Sequence, residues 1–397
     1  MARLSMFLPP FAPDYSGAGA VFFDLNAVAV IHDASGCTGN YAGHDEPRWF
    51  GARAQVFSSG LREIDAIMGD DERVEERMLK AAKDLDPEVM ALIGSPVPRV
   101  IGTDIRGIAA ELEERAGIPC IGVDTTGMDY YDRGAFKAAA ALLDRFAEKT
   151  ESVQGRVNIL GATPLDFYLG ADIDALKDSL TAHGYETGMC MAFGYTLEDL
   201  RSAGRARVNI AVSHFGYLTA RYMEKKFGIP YLCGLPTGEY GEHIFYEALS
   251  AVEESGESRV LGREATPEGK SGGCDHGKDG KKLLILGEQV IGNAMRTTLI
   301  GQGGFSGITL GCLFGKDDGI AAGDLDLRDE KSIRSEIQSG KYDAILGDPV
   351  FRCLLPAAGG PAFIDAALYA VSGKENDGCF PALIGKAFDE WITGITV

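Results

Sequence analysis

The sequence predicts an α/β fold made of three successive parallel βαβ units, and three observations predict it. Short apolar runs of strand length alternate with segments of helical period along most of the chain. Those runs end repeatedly in Gly, Ser or Pro, as buried strands emptying into loops do. Fifty-two glycines in 397 residues give the backbone room that many strand-to-helix turns need. Such alternation sets strands side by side with right-handed crossovers.

The first unit is expected over residues 1–150. A mostly apolar run from Leu25 to Ile31 feeds His32-Asp33-Ala34-Ser35-Gly36-Cys37, a strand leaving at its carboxyl end into a Gly-Cys turn. A charged helix follows from about Asp71 to Leu85, then a strand from Glu88 to Ile93 ending in Gly94-Ser95-Pro96. Asp104 is placed to cap a helix running to Arg115, where Ile105, Ile108, Ala109 and Leu112 share one face and Gly117 stops it. Ile118 to Val123 is the next strand, and Ala135 to Lys149 closes the unit as a helix.

The second unit, 151–260, alternates in the same way. Strands are expected near Arg156–Ala162, Tyr185–Ala192, Val208–Val212 and Ile229–Leu232. The helices between and after them are Ala171–His183, Leu197–Ala203, Gly216–Phe227 and about His243–Glu254. Residues 261–281 have the Gly, Lys and Asp content of a solvated linker. Cys274 and His276 fall inside it, and two ligands alone make no metal site. A third unit, 282–397, restarts at Lys282–Glu288 and continues through strands at Ile308–Leu313 and Tyr342–Asp348 to a last helix near Gly385–Trp391.

Composition bounds the function. A net charge of −20 argues against nucleic acid and anionic membrane as partners, since both demand clustered Lys and Arg. No run of eighteen apolar residues appears and Met1–Pro10 lacks a signal-like pattern, so the expectation is a cytoplasmic protein with no membrane span. Eight cysteines without a CxxC pair read as free thiols, one or two of them available for metal.

Common catalytic motifs are missing. No GxxxxGK[ST], GxSxG or HExxH occurs, and no GxGxxG follows a strand. What remains is position. Ligands of open α/β sheets collect beyond the carboxyl ends of strands, and Cys37 and His214 both lie there. Cys37 is either a small residue in a tight turn or a ligating thiolate, and His214 either a loop hydrogen-bonder or a catalytic or ligand-contacting group.

Taken in order, four stretches decide between those uses. His32-Asp33-Ala34-Ser35-Gly36-Cys37 is similar to the His-Gly-x-x-Gly-Cys loop of the component 1 proteins of the nitrogenase superfamily. Gly94-Ser95-Pro96 through Gly102-Thr103-Asp104-Ile105 resembles the family's Cys-Pro-x-x-x-Ile-Gly-Asp-Asp-Ile segment. Arg221-Tyr222-Met223-Glu224-Lys225-Lys226-Phe227-Gly228-Ile229-Pro230 is similar to the family's passage into Gly-Ile-Pro. Phe57 to Glu63 and Ile67-Met68-Gly69 fall where the family has a further motif.

The resemblance implies three Rossmann-like domains and an iron–sulfur cluster, a [4Fe–4S] centre shared across a subunit interface. Cys37 is the ligand it carries over, beside Gly36. Ser95 stands where a second ligating Cys is expected, so Ser95, Asp33 and Cys120 are the weaker ligand candidates. The partners it implies are an identical or paralogous component 1-like subunit and an ATP-dependent iron–sulfur reductase. The substrate is then a small molecule or tetrapyrrole, not dinitrogen, because Ala211-Val212-Ser213-His214 replaces the stretch holding the large cofactor's Cys. His214 is the catalytic candidate. Two alternatives stay open: a non-catalytic scaffold for metallocluster or tetrapyrrole biosynthesis, and a metal-free small-molecule-binding protein.

Overall fold

The computed structural model describes residues 5–69, 71–263, 280–303, 305–376 and 380–394. Cys274 and His276 lie outside the described residues. Among the described residues three sheets, every one of parallel strands, follow one another along the chain.

The first holds β1 (Ala27–Ile31), β2 (Gln55–Ser58), β3 (Val89–Ile93) and β4 (Cys120–Val123) in the order β2-β1-β3-β4. The second holds β5 (Val153–Leu160), β6 (Glu186–Cys190), β7 (Ala206–Ala211), β8 (Tyr231–Cys233) and β9 (Arg259–Val260) in the order β6-β5-β7-β8-β9. The third holds β10 (Lys281–Gly287), β11 (Phe305–Cys312), β12 (Leu325–Asp326), β13 (Ala344–Gly347) and β14 (Ala362–Asp365) in the order β12-β11-β10-β13-β14. In each sheet the direction of winding reverses once, between β1 and β3, β5 and β7, β10 and β13. Those reversals open the crevices in which such folds place their ligands.

β1 and β3 are buried at every position, as parallel strands covered on both faces must be. Val28, Val30, Met90 and Leu92 point to helices Glu72–Leu85 and Ile105–Ala116. Ala27, Ala29, Ile31, Ala91 and Ile93 point the other way, into a core shared with Leu160, Ala211 and Phe215 of the second unit. A further apolar core joins Val157, Ile159 and Val208 to Leu283, Ile285 and Leu310 of the third unit. The three sheets therefore pack into one body.

Two helix boundaries differ from the sequence reading and matter for the site. The helix expected from Ala135 begins at Tyr131, and the one expected from Gly216 begins at His214. The first turns read Tyr131-Asp132-Arg133-Gly134 and His214-Phe215-Gly216-Tyr217, each mixing polar residues and Gly with aromatics. A periodicity count over apolar residues misses such turns. A helix that composition left unassigned, Asp14–Phe22, is buried along its whole length. Small residues explain it: Gly17 and Gly134 let this helix and Tyr131–Phe146 cross with their backbones in contact.

Candidate functional site

β1 delivers the Cys37 loop to the switch point of the first sheet. His32 and Asp33 are buried directly after the strand, and Ser35 adopts a left-handed backbone with φ 85°. That conformation is costly for a side chain other than Gly and marks an over-determined turn. The short helix Gly36–Asn40 follows, none of its residues buried, and Cys37 sits half-exposed in its first turn. Burial pushes the Cys37 thiol up, Tyr15 and Ser95 hydroxyls against the sulfur offset part of that, and the Asp33 and Asp14 carboxylates raise it. Burial thus favours the thiol over the thiolate, the form that acts as nucleophile and ligand.

Asp33 is committed to the loop. Its carboxylate accepts from Thr38 N–H at 3.0 Å, Thr38 Oγ1 at 2.9 Å and Ser58 Oγ at 2.6 Å. Ser95 is wholly buried as the N-cap of helix Pro96–Ile101 and donates to the His32 carbonyl at 2.7 Å. The structure thus brings Cys37, Ser95 and Asp33 together and gives the two oxygens local hydrogen-bonding partners. Gly36 stands in open space at the start of the short helix. Cys120 is elsewhere: it opens β4 at the amino end, pairs with Met90 and has its thiol pushed to about 12 by burial. Three strand residues, roughly 10 Å, separate it from the carboxyl edge.

That edge is apolar. Because the four strands are parallel, the segments following them all emerge on one side. They bring Cys37 after β1, Ile64, Ile67 and Met68 after β2, Val97, Val100 and Ile101 after β3, and Met128 after β4. All seven apolar side chains are exposed, Val100 by 81% and Met128 by 77%. Scattered surface hydrophobics are ordinary, but seven on the segments that leave one edge of one sheet, the edge that carries Cys37, are what a covered surface looks like.

A second polar group lies deep between the units. His214 Nδ1 is 2.6 Å from Asp132 Oδ2, and the His214 backbone N–H donates to Glu288 Oε1 at 2.7 Å. Tyr131 donates its hydroxyl proton to Asp166, which also accepts from Thr163 Oγ1 at 2.7 Å. Burial and the negative charge of Glu288 raise Asp166, and burial raises Glu288 against the backbone N–H of Ile291 that holds it down. Asp166 and Glu288 border a cavity of about 40 Å³ between the second and third units, with Ile285, Met295, Leu346 and Phe380 on its walls. Sequence reasoning named His214 alone here. Asp132, Asp166 and Glu288 had no such signal: Glu288 directly follows β10, Asp166 lies six residues past β5, and Asp132 is the second residue of the helix Tyr131–Phe146.

The described residues of one chain do not supply the ligands of the cluster that the resemblance implies. Such a centre wants four donors, mostly thiolates, and the Cys37 loop has one. Among the described residues no group of three His, Cys, Asp or Glu side chains is arranged to hold a metal ion. No helix among the described residues is long and apolar enough to cross a membrane.

Comparison with known proteins agrees with this architecture. The nitrogenase cofactor biosynthesis protein NifE of Clostridium pasteurianum is 28% identical over 231 residues, 55% of this chain and 48% of that protein. One of the subunits of the light-independent protochlorophyllide reductase of Chlorobium phaeobacteroides (strain BS1) is 32% identical over 128 residues, 30% of this chain and 24% of that one. The chain spans about half the length of the NifE relatives it matches. A solved structure, nitrogenase Cp1 at pH 6.5, superposes with a TM-score of 0.73 at 16% identity, covering 99% of this chain and 93% of the other, which shows the fold. The family model for nitrogenase component 1 type oxidoreductases matches residues 13–331, and the chain belongs to that family.

Proposed function

We propose that this chain is one subunit of a component 1-like reductase that pairs, across the Cys37 face, with a second chain of the same type. The observation that carries the reading is the exposed apolar rim around a half-exposed, single thiol. A face of this kind is completed by a partner, and a partner is also what a one-cysteine ligand set lacks. The iron–sulfur centre is then a property of the pair. Cys37 is its contribution from this chain, and Asp33 and Ser95 shape the loop that presents it. An ATP-dependent iron–sulfur reductase is the proposed electron donor, and a small molecule or tetrapyrrole the proposed substrate.

A scaffold role in metallocluster or tetrapyrrole biosynthesis is the second reading, favoured by the similarity to NifE and by the single thiolate. Both readings are tested by iron and acid-labile sulfide measured on anaerobically purified protein, alone and co-expressed with a component 1-type neighbour. About two irons per chain, lost in Cys37→Ser, is the result expected for one [4Fe–4S] centre per pair. Unchanged iron in C37S, or none in any pairing, overturns the interfacial centre. Bound cofactor that turns over with reductase and ATP separates the reductase from a scaffold, which hands it on unchanged.

A further inference from the structure

The Asp132–His214 pair joins the first unit to the second, and the Glu288 contact ties in the third. His214 and Asp132 are 2% and 1% exposed. The ring is held through Nδ1 by Asp132, and the backbone N–H of the same residue by Glu288. Yet Nε2 is buried without a hydrogen-bond partner among the described residues. A latch between units needs only the Nδ1 side of the ring. Leaving the opposite nitrogen bare in the interior is costly, and Asp132 Oδ1 of the same pair is likewise bare among the described residues, which points to a further group that meets this pair.

We propose that His214 Nε2 is a reversible proton site at the three-unit junction, the acid–base group that serves a substrate held there, with Asp132 as its positioning partner. An ionised carboxylate only accepts, so Asp132 keeps a proton on Nδ1 and turns the lone pair of Nε2 inward. The groups facing the pair are Tyr131 and Arg133 on the helix of Asp132, Asp166 from the second unit, and Glu288 and Arg328 from the third. The chemical role rests on the reductive reading above. As the acceptor takes an electron from a low-potential iron–sulfur donor, the Nε2–H bond of the imidazolium breaks and its electron pair stays on the ring. The proton forms the new bond on the reduced acceptor, and water returns a proton to Nε2 once the product leaves.

The test needs neither donor nor iron, so its failure is separate from failure of the reductase reading, which shows as iron-free protein in every pairing. The full chain, labelled with ¹⁵N-histidine, is followed by long-range ¹H–¹⁵N correlation while pH is varied with the fold intact. The expected result is an Nδ1–H ring whose Nε2 takes up and releases a proton reversibly. Asp132→Asn is expected to move the proton of the neutral ring to Nε2 and change its proton affinity at least tenfold, one pH unit. H214Q, which fills similar space, assigns the resonance and keeps the protein folded. A wild-type ring that stays protonated on Nε2, or an Nε2 that does not titrate before unfolding, overturns the proposal, as does an unchanged ring in D132N.

Discussion

A methyl group on Gly134 would run into the carbonyl oxygen of Asp14. The reverse holds at Gly17, where a Cβ meets the carbonyl of Tyr131. These contacts let helices Asp14–Phe22 and Tyr131–Phe146 cross backbone to backbone. One helix carries Tyr15 against Cys37, and the other carries Asp132 against His214, so the crossing supports both polar sites. Gly134→Ala is therefore expected to cost about 3 kcal/mol, since neither backbone can yield without moving a helix. Denaturant midpoints read this, and an unchanged midpoint would show that the crossing relaxes.

The apolar rim predicts an association defect without a folding defect. Val100 is 81% exposed. Val100→Asp is expected to leave the melting temperature within about a degree, as surface changes do. It should weaken association of the pair by tenfold or more, because an aspartate buried at an interface core has no partner. Analytical ultracentrifugation of the co-purified chains measures it.

Ser35 offers a test of loop strain. Its left-handed backbone suits glycine better, so Ser35→Gly gives back part of the conformational cost and loses the bond between Ser35 Oγ and Ser58 Oγ at 3.0 Å. That bond is exposed and worth little. The net expectation is a gain of about 0.5 kcal/mol in unfolding free energy. A loss of stability would show that the side chain, not the backbone, holds the turn.

The fold was legible because its signals are local. Strand-length apolar runs, Gly117 and Gly228 as helix stops and Asp104 as a cap each speak within a few residues, and each stands where it was read. The Cys37 loop was legible for the same reason, as a strand exit with a Gly-Cys turn. The interior polar group was legible only at His214. Asp132, Asp166, His214 and Glu288 are separated by up to 156 positions, and only the stacking of three sheets brings them together. Asp14–Phe22 was missed for another reason: a helix buried on all sides has no polar face, so it shows no helical period.

Arg296 makes the buried-charge problem explicit. The side chain is wholly enclosed and paired with Asp324 at 2.8 Å, while Gln289 and Asn293 each donate to the other carboxylate oxygen at 2.9 Å. Replacing the guanidinium leaves an anion in the interior with only neutral donors. Arg296→Met is expected to lower stability by about 3–5 kcal/mol, measured by urea unfolding. A loss below about 1 kcal/mol would mean that the amides alone carry the charge.

The Asp166 carboxyl sets the sign of a pH dependence. Burial and the neighbouring Glu288 raise it above the ordinary value near 4, so in the folded chain it keeps a proton that the unfolded chain has given up. The folded state then binds more protons than the unfolded state across that window, and stability falls as pH rises through it. The contribution is harmless below the unfolded value and fully unfavourable above the folded one. Asp166→Asn mimics the neutral acid and keeps an acceptor for Tyr131, though it has no charge to neutralise. Wild-type melting temperature is therefore expected to decline more steeply from pH 5 to pH 8 than that of D166N. Parallel profiles would mean that Asp166 is as ionised in the fold as out of it. The hydroxyls of Tyr131 and Thr163 would then be enough to stabilise the anion beside Glu288.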